Sequence, residues 1–491
     1  MVPVIGGKMG TIRHKFSFLC SVLFLLTFTS GNAFALKKLD PFENWLIYQY
    51  SRAVDDMFAN IHPDGSAPGA VAASPSREFP DYYYHWVRDA SLVMNNVVDF
   101  YQRETNPTKK AHLRNLITDF AEFSRRNQLT PNIAGNPGDT GDGEVKFHMD
   151  GKPYELNWGR PQNDGPALRA STLIKFSKLL IANGEIDYVK NHFYDGKIPT
   201  ESVIKADLEY VAYHWRDKSV DLWEEVKGQH FYTRLVQRKA LLDGAELADL
   251  LGDHLASDFY RAQVPLLDVE IEKHWDKEKG YIVATLDGEG SVYEKKKSNL
   301  DIAIILAVLH TDSDFYSPTH EKVLATAMSL IKSFDAAYEI NRNRFDGDQK
   351  LMAAALGRYV EDTYNGYHTD GEGNPWILAT NAMAELISRA KNEWIKSGHI
   401  AVTPLNHEFL NYAFNGGKFV VGETIYAGDS RFGKITEGLK TNSDAFLRRV
   451  RFHANPDGTL SEQLNRRTGI QEGAPKLTWS CSSVITAVHA R

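Results

Sequence analysis

Ser317-Pro318-Thr319-His320-Glu321-Lys322-Val323-Leu324-Ala325-Thr326-Ala327-Met328-Ser329-Leu330-Ile331-Lys332-Ser333-Phe334 is the stretch that decides the fold class. Val323, Leu324, Ala327, Met328, Ile331 and Phe334 recur at helical spacing on one face, which predicts an amphipathic helix. Ser317 is placed to cap it and Pro318 to occupy its first position. Similar stretches begin near Phe42, Ala90, Pro107, Pro166, Glu201, Thr233, Ser257, Leu300, Trp376, Asn406, Phe432 and Trp479. Strand alternation is sparse, as in Tyr281-Ile282-Val283-Ala284-Thr285. The chain therefore reads as mainly α, with roughly a dozen helices.

The 491 residues are 43% apolar and 24% charged, enough to bury a sizeable core and too apolar for a disordered chain. With 56 basic against 63 acidic residues, a net charge of −7 argues against a nucleic-acid partner. Lys295-Lys296-Lys297 is too short a run to alter that and reads as a solvated loop. Lys8, Arg13 and Lys15 precede an apolar run from Phe16 to Phe28, and Ala33-Phe34-Ala35 follows, the pattern of a cleaved export signal over residues 1–35. Its removal leaves 53 basic against 63 acidic residues and predicts a secreted chain with no membrane anchor. No repeat or Pro/Ser/Thr-rich linker divides the remainder, so residues 36–491 are expected to form a single domain. Of the two cysteines, Cys20 lies in the signal, and Cys481 reads as a small buried hydrophobe.

Metal and nucleotide chemistry find little support. His407-Glu408 lacks the second histidine of a zinc motif, and Asp139-Thr140-Gly141-Asp142-Gly143-Glu144 lacks the full pattern of a calcium loop. No phosphate-binding G-x-x-x-x-G-K-[ST] motif occurs, and neither metal nor cofactor is expected.

The longer loops, 134–165, 221–233, 357–376 and 454–479, are rich in Gly, Trp, Tyr, Arg and carboxylates. Trp86, Trp158, Trp223, Trp376 and Trp479 lie beside polar clusters in or at the edges of such loops. A sugar ring offers an apolar face for stacking and hydroxyls in its plane, so aromatic walls interleaved with Arg and carboxylates suit carbohydrate. Glycoside hydrolysis further needs one protonated carboxyl group and one ionised carboxylate. In Asp221-Leu222-Trp223-Glu224-Glu225-Val226, repulsion between adjacent carboxylates and partial desolvation could raise one pKa into the general-acid range. The same stretch also reads as the acidic start of a helix. Glu462 follows the turn signal Asn455-Pro456-Asp457-Gly458.

Five ordered segments then carry a family resemblance: Tyr82 to Asp89, Trp158 to Arg169, Asp221 to Val226, Gly357 to Tyr364 with Gly373 to Trp376, and Ser461-Glu462-Gln463 with Leu477 to Ser480. Together they resemble glucoamylases of glycoside hydrolase family 15, of the fungal type. The resemblance implies an (α/α)6 barrel and exo-acting release of glucose from α-1,4-glucans, more slowly from α-1,6 bonds. It implies Glu224 as general acid and Glu462 as general base in an inverting reaction, for which the carboxyl separation is about 6.5–9.5 Å. Arg88 and Asp89 match the pair that grips the terminal glucose. Tyr82 matches the tyrosine beside the developing oxocarbenium centre, and Trp158 the tryptophan near the acid. Arg358, Glu225 and the Leu222 carbonyl match binders of the first glucose units, while Trp376 and Tyr154 shape outer sites and Gln463 orients the base. Trp479 supports the wall. Asp89 also reads as the N-cap of the following helix.

Val87, Asn163, Lys227 and Val360 depart from the family pattern, and Tyr367 to Gly373 looks like an insertion at the rim. No starch-binding module is expected within the sequence, and the active unit is expected to be a monomer. The alternatives are a relative acting on dextran, isomaltose or trehalose, and a non-catalytic glucan-binding protein.

Overall fold

The computed structural model describes residues 40–491, so the export signal expected over residues 1–35 lies outside the described residues. The helices, in chain order, begin with α1 (Pro41–Ala59), α2 (Val87–Arg103), α3 (Pro107–Gln128), α4 (Asp164–Ala182), α5 (Ile186–His192), α6 (Val203–His214) and α7 (Phe231–Leu251). After them come α8 (His254–Glu272), α9 (Ser291–Lys295), α10 (Ala303–Thr311), α11 (Glu321–Ala337), α12 (Ile377–Ser397), α13 (His407–Ala413), α14 (Ser430–His453) and α15 (Thr478–Ala490).

Helix packing closes a circle: α2 lies on α4, α4 on α7, α7 on α10, α10 on α12, α12 on α15, and α15 returns to α2. Each inner helix carries an outer one, α3 on α2, α6 on α4, α8 on α7, α11 on α10, α14 on α12 and α1 on α15. This is the (α/α)6 barrel. Sequence composition sorts the two layers. α10 reads Ala-Ile-Ile-Leu-Ala-Val-Leu-His-Thr and is buried all round except at His310, whereas α11 buries only one stripe. Because outer and inner helices alternate along the chain and successive partners run antiparallel, all six inner helices point the same way. Their N-termini gather at one end of the ring.

The expected helix starts fall within three residues of ring helices, with two exceptions. The stretch near Asn406 is the short α13, outside the ring. In the Ser317 stretch, the helix starts at Glu321 with His320 as its cap. The Ser317 hydroxyl instead accepts from the Thr319 amide at 3.2 Å, which closes a turn ahead of the helix. Lys296 is likewise not solvated: it is buried and ion-paired with Asp301, its ammonium 4.0 Å from the centre of the Tyr359 ring. Cys481 is buried, as expected.

Buried ion pairs tie the layers. Arg169 of α4 donates to both Asp207 oxygens of α6, at 2.9 and 2.6 Å, and Gln128 of α3 adds a bond of 2.8 Å. Removing one partner would leave an uncompensated buried charge. Arg169→Met is expected to cost about 3–5 kcal/mol in urea unfolding, and Arg169→Met with Asp207→Leu should recover most of it. An unchanged midpoint in the single variant would show that the pair does not hold the layers together.

A cavity of about 760 Å³ opens among the C-terminal halves of the inner helices. It is lined by mutually paired charges such as Lys175–Asp99 and Arg389–Glu385 and contains neither Glu224 nor Glu462. Trp479 and His310 also line it, and Trp479 reaches toward the other end. The residues expected from the sequence to form the site gather at the N-terminal end of the ring.

Candidate active site

Five of the six inner helices deliver part of the site at their N-termini: Arg88 and Asp89 on α2, Asp164 on α4, Trp376 before α12, Trp479 on α15, and Asp301 just before α10. Helix N-termini carry partial positive charge and unpaired amides, which favours carboxylates there. Asp89 lies in the first turn of α2, not at its cap, because the helix already begins at Val87.

Glu224 stands in a hairpin loop, not at a helix start. The two-residue strand Ser219–Val220 pairs with Lys227–Gly228, and Asp221 closes the loop by accepting from the amides of Glu225 and Val226 at 2.8 and 2.9 Å. Glu224 takes φ +69°, a left-handed conformation costly for a residue with a Cβ. Its Oε1 accepts from Trp86 Nε1 at 2.7 Å and Gln162 Nε2 at 3.2 Å, with Arg88 Nη2 at 3.5 Å. Its Oε2 accepts only from Trp158 Nε1, at 2.8 Å. Oε1 thus meets three donors and Oε2 a single one.

Glu462 has contrasting surroundings. Its backbone is pinned by bonds to Ala474 and Ile377, ahead of the ribbon pairing Gln463–Leu464 with Gln471–Glu472. Oε1 accepts from the Tyr82 hydroxyl at 3.0 Å, and Tyr364 lies at 3.4 Å from Oε2. Burial pushes its carboxyl up to about 8, opposed by the Tyr82 hydrogen bond and the Arg358 charge. Gly473, at φ +73°, packs against it so closely that an added Cβ would lie 2.3 Å from Oε2.

The two carboxylates sit at opposite ends of one ring pair. Trp86 holds Glu224, Tyr82 holds Glu462, and their ring centres are 5.5 Å apart. Trp158, Tyr154 and Tyr84 continue the aromatic wall at 5.3–6.2 Å centre to centre. Lys146 fills its middle, 3.4 Å from the Trp158 ring centre and 3.8 Å from that of Tyr154. Burial lowers this lysine to about 8, while Glu224 opposes the shift. On the other side, Arg358 forks onto Asp362 at 2.8 and 2.6 Å and reaches Glu225 at 2.7 Å, whose second oxygen accepts from Tyr359 at 2.6 Å. Trp223, bonded to Asp301, lies against Trp376 and stacks on Trp479.

Burial pushes Asp89 up to about 6, with Arg88 opposing. Arg88 Nε and Asp89 Oδ2 face each other at 3.4 Å as an ion pair, and these two atoms and Trp376 Nε1 are buried without a hydrogen-bond partner in the protein. Such groups suit hydroxyl-bearing ligands.

All twelve anticipated residues fall in this cluster, Leu222 as a buried member of the Glu224 loop and Gln463 with its amide 3.5 Å from Glu462. Sequence reasoning missed Lys146, which lies over the Trp86 and Trp158 rings that bond Glu224 because Lys146–Phe147 pairs with His85–Trp86. Gln162, Asp164 and Tyr364 lay in the quoted segments without an assigned role. Among the departures, Val87 is buried and Asn163 bonds Tyr210 at 2.7 Å, whereas Lys227 and Val360 are exposed. Glu144 is committed to Arg160 at 2.7 Å.

An unlike carboxyl pair set among indoles and tyrosines at one end of an all-α ring is an arrangement that glycoside hydrolysis can use. The model of the glycosyl hydrolases family 15 matches residues 52–489. A glucoamylase of Blastobotrys adeninivorans is 38% identical over 92% of this chain and 72% of its own. Glucoamylase 1 of Rhizopus oryzae is 36% identical over 95% and 72%. Among solved structures, the glucoamylase of Hypocrea jecorina superposes with a TM-score of 0.82 at 33% identity, covering 92% of this chain and 72% of that one. That of Saccharomycopsis fibuligera gives 0.82 at 30%, covering 94% and 98%. The chain belongs to glycoside hydrolase family 15.

Proposed function

We propose that this enzyme is an exo-acting glucoamylase that removes glucose from the non-reducing ends of α-1,4-glucans, and more slowly from α-1,6 bonds. Glu224 donates a proton to the leaving oxygen, and the ionised form of Glu462, the minor form below about pH 8 in the substrate-free protein, draws a proton from the attacking water, so β-D-glucose leaves with inversion. The observation that carries this reading is the contrast between the two carboxylates: one rests on indole donors at a part-exposed loop, the other is buried among tyrosine hydroxyls. Arg88 and Asp89 grip the terminal glucose, supported by their buried, ion-paired Nε and Oδ2, which have no hydrogen-bond partner. Tyr82 faces the developing positive charge, and Arg358, Glu225 and the Leu222 carbonyl bind the first glucose units. Trp158, Tyr154 and Trp376 shape the outer path, and Gln463 orients the base.

The same reading takes residues 1–35 as an export signal. One relative, from Saccharomyces cerevisiae, is described as intracellular, so export rests here on the sequence pattern.

Proton NMR of maltoheptaose digestion tests the proposal through the anomeric signal of the first glucose released. β-Glucose is expected. α-Glucose would demand a nucleophile and remove Glu462 from the base role, and no release would move the reading to another linkage or to glucan binding alone.

A further inference from the structure

Two segments leave Glu462 side by side. Tyr82 and Tyr364 meet there, their hydroxyls 2.7 Å apart and both beside the carboxylate. Three residues from each, the same segments meet again at the surface: Phe79 stacks on Tyr367 with ring centres 5.5 Å apart and planes 23° from parallel, and His368 lies 5.5 Å from Phe79. Phe79 is 67% exposed and Tyr367 37%. An exposed, ordered aromatic pair is unusual where packing alone decides, since each ring could bury more apolar area elsewhere.

Both segments are held in place. Arg77 bridges to Asp81 across the Phe79 tip, the Ser76 hydroxyl donates to the Pro80 carbonyl at 2.7 Å, and the Arg77 guanidinium sits 3.6 Å from the Tyr83 ring centre. On the other side, the Asn365 side chain accepts from the amides of Tyr367 and His368 at 3.1 and 2.9 Å. The Gly371 and Gly373 amides return to Thr363 and Asp362 at 2.9 and 2.7 Å. The expected insertion, Tyr367 to Gly373, is therefore fastened to Asp362, the carboxylate that holds Arg358.

We infer that Phe79, Tyr367 and His368 form a stacking platform for glucosyl units beyond the bond that is cleaved, extending the site outward along a linear α-glucan. The inference rests on the glucan reading above and on continuity with the Tyr82–Tyr364 wall. Flat apolar rings suit the faces of successive sugars, and a preordered platform loses little entropy on binding. Maltose is too short to reach it.

The test compares kcat/KM for maltose and maltoheptaose in Phe79→Ala/Tyr367→Ala and in Phe79→Trp. The double variant should lose about tenfold on maltoheptaose, mostly through KM, as expected for one lost stacking contact. Its maltose value should stay within about twofold of the parent's. Phe79→Trp should retain the maltoheptaose value. Unchanged maltoheptaose kinetics in the double variant would overturn the platform alone, as would equal losses on both substrates. Absence of maltose and maltoheptaose turnover in the unaltered protein would overturn the glucan reading and the platform with it.

Discussion

Glu224→Gln is expected to lower kcat on maltose by about 10²–10⁴-fold while maltose still binds. The amide keeps the shape of the side chain and loses the transferable proton. It also loses a lone pair on one terminal atom, so either Trp86 or Trp158 surrenders its acceptor, and KM should move only a few-fold. Calorimetric binding of maltose separates the two effects. A second substrate sharpens the assignment: α-D-glucosyl fluoride carries a leaving group that needs little protonation. Glu224→Gln should therefore retain far more of its activity on the fluoride than on maltose, whereas loss of a base impairs both. An unaltered kcat on maltose would remove Glu224 from the acid role.

The companion variant, Glu462→Gln, is expected to lose about 10²–10⁴-fold in kcat on both substrates and to gain stability. The sign follows from burial. In the folded protein this carboxyl is held up at about 8, against an ordinary value of 4.5. Between those values the unfolded chain gives up the proton and the folded chain keeps it, so stability falls as pH rises through this window. Below about 4.5 the cost is absent, and above about 8 it is fully present. A neutral glutamine escapes it. The melting temperature of Glu462→Gln should exceed the parent's by about 2–5 °C at pH 7, with the gap closing toward pH 4. A gap that is constant with pH would mean that the carboxyl does not titrate abnormally. The positive φ of Glu224 is a second place where the site departs from the best local structure.

The ring helices were legible because each outer helix must show one apolar stripe and each inner helix a longer apolar run. α11 shows the limit. A serine and a proline suited to a helix start were present, yet the hydroxyl found a nearer amide at Thr319. Local signals cannot tell which of two short-range bonds will form. The carboxylates were legible as a type, since acids beside tryptophan are rare in plain cores, but their roles came from the ordered family segments. Lys146 was not legible at all. It is a single residue in a two-residue strand, brought to the Trp86 and Trp158 rings by pairing across some sixty positions, and nothing in its own neighbourhood marks it. Lys296 misled for the opposite reason: three lysines in a row look solvated, although the middle one turns inward onto Asp301.

The seam of the ring has a temporal meaning. α15 packs on both α1 and α2, and the Asn60 amide donates to the Thr478 hydroxyl across 418 residues. Until α15 has left the ribosome, the inner faces of α2 and α12 lack a neighbour, and the Trp479 wall is missing. Contacts of such long range form late and cost loop entropy first. The growing chain must therefore carry an open, apolar crescent through most of its synthesis, a state open to chaperones and to aggregation.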